Sequence, residues 1–313
     1  EGLRTGIEVS ESITDAEIKN CNFINCKSET DFIIKIKNNK CTFRNNTIIC
    51  SNQNISSRAI SITGYGDIQV IHNRIINCSS GQKEKASISI YPRSRGEQTI
   101  LFNYNFMKGL SNCKLAIFDI SCEYENVNFD HNIISECINK EGLTNNDGYM
   151  SQFIKIYSDF TIENLTFENC MSTAAFGGSF GCWFVTNKVG TTISFINCHF
   201  LNNDHHQPGK QTGGVIQMGG SSNAHFKIVF DGCTFSGNTA THDGGALSFS
   251  HDQTVTISNC VFDNNRVRDG NGGAIFLNNE NIKETVTIEN CIFENNFDAN
   301  GNGNAIYIQN SKT

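Results

Sequence analysis

The chain has 313 residues, a formal net charge of −7 and an isoelectric point near 5.6. No Lys/Arg stripe interrupts that acidic balance, which excludes nucleic acid as a partner class. No apolar run approaches the length of a membrane span, and no sustained i, i+3, i+4, i+7 apolar spacing supports long helices. The 2 prolines, 27 glycines, 23 phenylalanines and abundant asparagines suit many short strands joined by turns, with Asn and Gly supplying left-handed positions.

In chain order, Glu1-Gly-Leu-Arg-Thr5 has neither the basic nor the apolar region of a secretion signal, so a removed leader or a longer parent chain is expected. A self-similar unit then begins. Phe23, Phe43, Ile75 or Ile76, and Phe106 mark its early copies; Ile134, Phe167, Phe200, Phe235, Phe262 and Phe293 mark its regular ones. The regular spacing averages roughly 32 residues, which is a solenoid period with loops of variable length. The clearest copy is Val255-Thr-Ile-Ser-Asn-Cys-Val-Phe-Asp-Asn-Asn265, repeated as Val286-Thr-Ile-Glu-Asn-Cys-Ile-Phe-Glu-Asn-Asn296. Val255 and Ile257 alternate, Asn259 bends the chain, and Cys260 and Phe262 alternate again.

A third strand follows a Gly-Gly turn in each late copy, as in Gly213-Gly-Val-Ile-Gln-Met218, Gly244-Gly-Ala-Leu-Ser-Phe249 and Gly272-Gly-Ala-Ile-Phe-Leu277. Arg58-Ala-Ile-Ser-Ile62, Lys85-Ala-Ser-Ile-Ser-Ile90, Leu115-Ala-Ile-Phe118 and Gln152-Phe-Ile-Lys-Ile156 are the early counterparts. Three short strands per coil and no helix predict an all-β, single-stranded right-handed parallel β-helix, a pectate-lyase-like solenoid of roughly ten coils. Residues 1–313 read as one continuous domain. The strand Ala305-Ile-Tyr-Ile308 so near the last residue points to a segment of a longer chain.

Gly244-Gly-Ala-Leu247 and Gly272-Gly-Ala-Ile275, paired with Phe235-Ser-Gly-Asn238, Phe262-Asp-Asn-Asn265 and Phe293-Glu-Asn-Asn296, resemble the repeats of chlamydial polymorphic outer membrane proteins. Asn- and Cys-rich repeat proteins at the surface of trichomonad protists are similar. The clean matches cover about the last third of the chain; in residues 1–190 the Gly-Gly step is mostly lost, and Phe-x-x-Asn becomes Phe167-Glu-Asn-Cys170 or Phe23-Ile-Asn-Cys26. The resemblance implies a β-helix displayed outside the cell and used for adhesion.

Nine of the 14 cysteines fall at repeat positions. Cys21, Cys41, Cys198, Cys233, Cys260 and Cys291 are expected in one inward column; Cys26, Cys137 and Cys170 form a second set. Either a stacked thiol ladder or disulfides between rungs fits them. The bend asparagines, Asn22 or its neighbour, Asn197, Asn259 and Asn290, are expected to stack their amides along the axis.

Chemistry is sparse. Outward positions of the third strand read Gln217, Ser248, Phe276 and Tyr307, and the last two suggest an aromatic contact strip. Asp263 and Glu294, one rung apart, are the best carboxylate pair; a polysaccharide lyase or hydrolase on this frame needs such a pair. Asp204-His-His-Gln-Pro-Gly-Lys210 is the most unusual loop, and Asp204, His205 and His206 are its candidate binding residues. Adjacent histidines diverge on extended backbone, so no metal and no cofactor is expected. Ala174–Phe184 carries the single Trp and reads as a buried strand or an exposed aromatic patch. Asn45, Asn54, Asn77 and Asn164 head Asn-x-Ser/Thr sites compatible with secretion. The leading expectation is a non-enzymatic adhesin or scaffold at a cell surface, facing a protein or a glycan. The alternatives are a carbohydrate-active enzyme and an intracellular cytoskeletal component.

Overall fold

A computed structural model describes residues 6–10, 12–26, 32–38, 40–50, 58–80, 87–92, 99–112, 118–120, 126–139, 154–156, 159–173, 179–180, 182–184, 190–206, 214–220, 226–249, 253–278, 285–299 and 301–309. All described strands pair in parallel, each with the equivalent strand one coil away, and no described residue is helical. The product is a right-handed parallel β-solenoid.

One coil shows the plan. Thr192–Ile196 belongs to a ten-stranded sheet, the long-strand sheet; His199–Leu201 belongs to a second ten-stranded sheet, the middle sheet. Asp204–His205 lies in an eight-stranded short sheet, and Ile216–Gly220 in a return sheet described in stretches of five and six strands. A coil therefore has four strand segments, not three. The fourth is only two residues long, too short for alternation to reveal. Among the described residues eight of the ten rungs carry all four segments, so complete turns are slightly fewer than the expected ten coils. The two N-terminal rungs have no short-sheet strand among the described residues.

Alternation fills the interior as expected. Ile193, Phe195, Phe200, Ile228, Phe230, Phe235, Val255, Ile257 and Phe262 are fully buried. Identical register positions stack their rings: Phe200 on Phe235 at 5.1 Å, Phe235 on Phe262 and Phe262 on Phe293 at 4.8 Å. Such aromatic columns add to the burial of the rings themselves.

Two corners connect the first three sheets, and each uses one left-handed residue. Asn197, Asn259 and Asn290 occupy the first corner with φ of 51°, 55° and 53°. The single-residue bend is thus correct, but the expected ladder is not theirs: these three side chains are exposed. The buried residue is the next one along, because the left-handed turn points its neighbour inward. Asn46, Asn73, Asn105 and Asn132 fill that place at the first corner, and Asn203, Asn238, Asn265 and Asn296 fill it at the second.

These asparagines form the ladder. Asn265 accepts from the Asn238 N–H at 3.2 Å and from its Nδ2 at 3.0 Å, and donates to the Phe235 carbonyl at 2.9 Å. The same set recurs at Asn73, which accepts from Asn46 N–H at 3.0 Å and donates to the Phe43 carbonyl at 2.8 Å.

The cysteines occupy the corner that asparagine leaves. Cys198, Cys233, Cys260 and Cys291 take the first corner; Cys78, Cys137 and Cys170 take the second. Cys41 leaves the expected column, since it lies within Lys40–Arg44 and faces the core directly. At the corner, Cys260 Sγ accepts from the Cys233 N–H at 3.4 Å and donates toward the Phe230 carbonyl at 3.6 Å. One sulfur thus makes the two inter-rung contacts for which asparagine uses an oxygen and a nitrogen. Both expected cysteine states occur: Cys50 and Cys78 form an inter-rung disulfide, and nine described cysteines are free.

Five substitutions separate these roles in urea unfolding. Asn265→Ala strands the Asn238 N–H and the Phe235 carbonyl, a loss of about 2–5 kcal/mol. Phe262→Ala opens a stacked column and costs about 3–5 kcal/mol. Asn259→Gly keeps the left-handed turn and stays within about 1 kcal/mol. Cys260→Asn retains both inter-rung contacts, whereas Cys260→Val leaves the Cys233 N–H without its acceptor and is the more destabilising by about 1–3 kcal/mol.

Candidate functional site

The outer surface departs from the frame most clearly at the first corner of three successive coils. There the left-handed residues are His72, Tyr104 and His131, with φ of 56°, 56° and 51°. Their rings stack in a row, His72 on Tyr104 at 4.8 Å and Tyr104 on His131 at 4.7 Å, with interplanar angles of 18°. Tyr104 is 47% exposed. Two residues further along the same coils, Arg74, Phe106 and Ile133 lie in register. Arg74 stands over the Phe106 ring at 5.4 Å, and Ile133 is exposed. The two rows make one solvent-facing patch of rings, a guanidinium and an aliphatic side chain.

On the other side of the row lies the outer face of the long-strand sheet. Asn128, Thr161 and Ser194 are in register and floor a shallow open cleft of about 390 Å³. The next outward pair is Asp130 and Glu163, also in register. Asp130 Oδ1 lies 2.7 Å from His131 Nδ1 and accepts from Asn164 Nδ2 at 2.8 Å. A carboxylate, an imidazole and a row of hydroxyl and amide groups therefore adjoin the stacked rings. Nothing in Asp130 or Glu163 as isolated letters marks them. The signal was the bend column, where His72, Tyr104 and His131 stand in place of Asn or Gly.

The expected site residues do not converge. Phe276 and Tyr307 stack at 5.9 Å as neighbours in register, but Phe276 is 1% exposed and so is not part of an exposed strip. Gln217 and Ser248, in the same outward column, are buried as well. The Gly-Gly turn explains the cover. A Cβ at Gly244 would come within 3.2 Å of Phe276 Cβ, so the turn backbone lies against that side chain. Asp204 is held by Arg268 through two hydrogen bonds of 2.7 and 3.0 Å that reach across two coils. His205 is buried and His206 is exposed, the divergence that extended backbone imposes. Residues 207–210 of that loop, residues 174–178 and 181, the Trp183 side chain and Asn54 lie outside the described residues. Among the described residues no three His, Cys, Asp or Glu side chains converge as a metal site would require.

Asp263 faces Glu294 in register, but Asn264 and Asn295 donate to Asp263 at 2.8 and 3.2 Å. Asp231 is similar: hydrogen bonds from Asn259 and Ser258 hold its carboxyl below the usual range. Both carboxylates are tied to the corners. Burial pushes the Cys41 thiol up to about 12, and contact with the Cys233 thiol and burial push Cys260 up as well. The Cys260 sulfur is accordingly a protonated donor rather than a nucleophile at neutral pH.

This arrangement is that of a right-handed parallel β-helix with an aromatic patch on its N-terminal half. In agreement, residues 158–313 match the family model described as a right handed beta helix region. No curated protein and no solved structure matches the chain.

Asp243 provides a pH test of the turns between the short and return sheets. It accepts from the Asn271 N–H at 2.8 Å, yet burial dominates and raises its pKa. The folded protein thus binds this proton more tightly than the unfolded chain, so the contribution falls as pH rises out of the ordinary carboxylate range. Asp243→Asn, which keeps an acceptor oxygen, is expected to raise the urea midpoint at pH 7. The gain shrinks toward pH 3, which paired titrations of wild type and variant will measure.

Proposed function

We propose that this chain is a non-enzymatic β-helical adhesin or scaffold displayed outside the cell. Its partner is a protein or glycan that seats on the His72–Tyr104–His131 row and the adjoining polar cleft. The observation that carries this reading is the row itself. Three coils place large rings at left-handed positions, where Asn or Gly fits without strain and other residues cost on the order of 1 kcal/mol or more each. Those rings add nothing to the interior, because they stand outside the core. A rigid, exposed, aromatic surface beside hydroxyl and amide groups suits recognition, since little side-chain freedom is lost on contact.

The Cys50–Cys78 disulfide favours an oxidising compartment over a cytoskeletal one. Asn45, exposed at its corner, heads one of the Asn-x-Ser/Thr sites and agrees with that placement. The resemblance of the Gly-Gly-Ala and Phe-x-x-Asn repeats to surface-displayed bacterial and protist proteins points the same way.

A second reading rests on a different observation, the pairing of Asp130 with Glu163 beside His131. A polysaccharide lyase or hydrolase would use such groups for proton transfer. One experiment separates the two. The purified chain is applied to a glycan array and to cell monolayers, and incubated with acidic and neutral polysaccharides. The adhesin reading expects saturable binding without product, and a loss of about tenfold or more in the triple variant His72→Asn/Tyr104→Asn/His131→Asn, with the unfolding midpoint no lower than that of the wild type. New reducing ends or unsaturated sugars that vanish in Asp130→Asn would establish the enzyme instead.

A further inference from the structure

Cys50 has a cysteine on each side. It ends the straight strand Thr47–Cys50 and stands opposite Cys26 of the coil before, across a one-residue bulge at Asn25. In the coil after, Cys78 is its disulfide partner, with Cα atoms 5.2 Å apart. The two neighbours are built alike. Each follows a left-handed asparagine, Asn25 at 55° and Asn77 at 57°, which turns the cysteine toward the middle of the column. Rungs of a parallel sheet lie about 4.8 Å apart, so Cys26 is as close to Cys50 as bridging requires. Cys26 is a free thiol and half-buried, whereas Cys78 is fully buried.

We propose that Cys26, Cys50 and Cys78 form a thiol–disulfide relay in which Cys50 exchanges partners within one molecule. The Cys26 thiol gives its proton to solvent, and the thiolate attacks the Cys50 sulfur. The Cys26–Cys50 bond forms as the Cys50–Cys78 bond breaks, and Cys78 leaves with the electron pair and takes up a proton. One disulfide and one thiol are present before and after, so no external oxidant or reductant enters. The stacked column favours attack along its axis. In one isomer the bridge fastens the second rung to the third and leaves a reachable thiol on the first; in the other it fastens the first rung to the second. Burial raises the Cys26 pKa, which makes the thiolate scarce at neutral pH and exchange faster in alkali.

The test is peptide mapping of the intact, oxidised protein. Samples held at pH 7 and pH 9 without added thiol are quenched in acid, alkylated and digested without reduction. The relay expects a Cys26–Cys50 peptide that grows with time at pH 9 at a rate independent of protein concentration. It expects only Cys50–Cys78 in Cys26→Ser, and a Cys26–Cys50 bridge in Cys78→Ser refolded in air. A wild type that retains only Cys50–Cys78 at pH 9 overturns the exchange, whatever the Cys78→Ser variant forms. Exchange that appears only as disulfide-linked dimers, or that scales with concentration, overturns it too.

Discussion

The described corners of this solenoid leave a backbone N–H between two sheets, where no carbonyl of the neighbouring rung meets it. A left-handed residue turns the chain, and the amide after it has no backbone partner in the neighbouring rung. Burial makes that group costly unless an acceptor is supplied. Where that place holds asparagine or cysteine, the next coil supplies it through the side chain at the equivalent position, Asn46 for Cys21, Asn73 for Asn46, Asn265 for Asn238 and Cys260 for Cys233; Leu110 and Leu165 interrupt the series. This contact joins successive rungs at the points where the sheets stop. It also fixes register, because only the equivalent residue reaches the amide.

The same requirement explains why asparagine and cysteine trade places along the chain. Asparagine lines the first corner from Asn46 to Asn132 while the second corner carries Cys50, Cys78, Leu110 and Cys137. From Asn203 onward asparagine lines the second corner, and Cys198, Cys233, Cys260 and Cys291 line the first. The exchange passes through the coil of Leu165 and Cys170. One amide ladder per coil is enough to set the register. A second would replace apolar interior with groups that each need a partner, whereas a protonated thiol packs as a small hydrophobe and still bonds.

Much of this was legible in the sequence and part of it was not. Period, strand alternation, the left-handed bend and the inward Phe column followed from letters alone, because each has a fixed spacing. The identity of the ladder residue did not. Asn259 and Asn265 both belong to the repeat, and only the backbone says which faces inward. The short-sheet strands were too brief to show a period. Phe276 alternates outward as expected, but its burial depends on where the Gly244 turn folds, and that is a matter of tertiary path. His205 and His206 were conspicuous as letters, yet the backbone sends them to opposite sides.

The proposed contact surface is not legible in the sequence for a related reason. Repeats draw attention to what recurs, and what recurs here is the frame. At the first corner the frame asks for one thing, a residue that accepts positive φ, and it leaves that side chain in solvent. Asn20, Asn45, Asn164, Asn197, Gly232, Asn259 and Asn290 meet the demand at little cost. His72, Tyr104 and His131 meet it at a higher cost, three coils in succession, and their rings then pack on one another. The column is therefore the place where this fold varies a side chain without disturbing its core. A costly choice repeated on adjacent rungs builds a continuous surface, whereas a single one would build only an isolated ring.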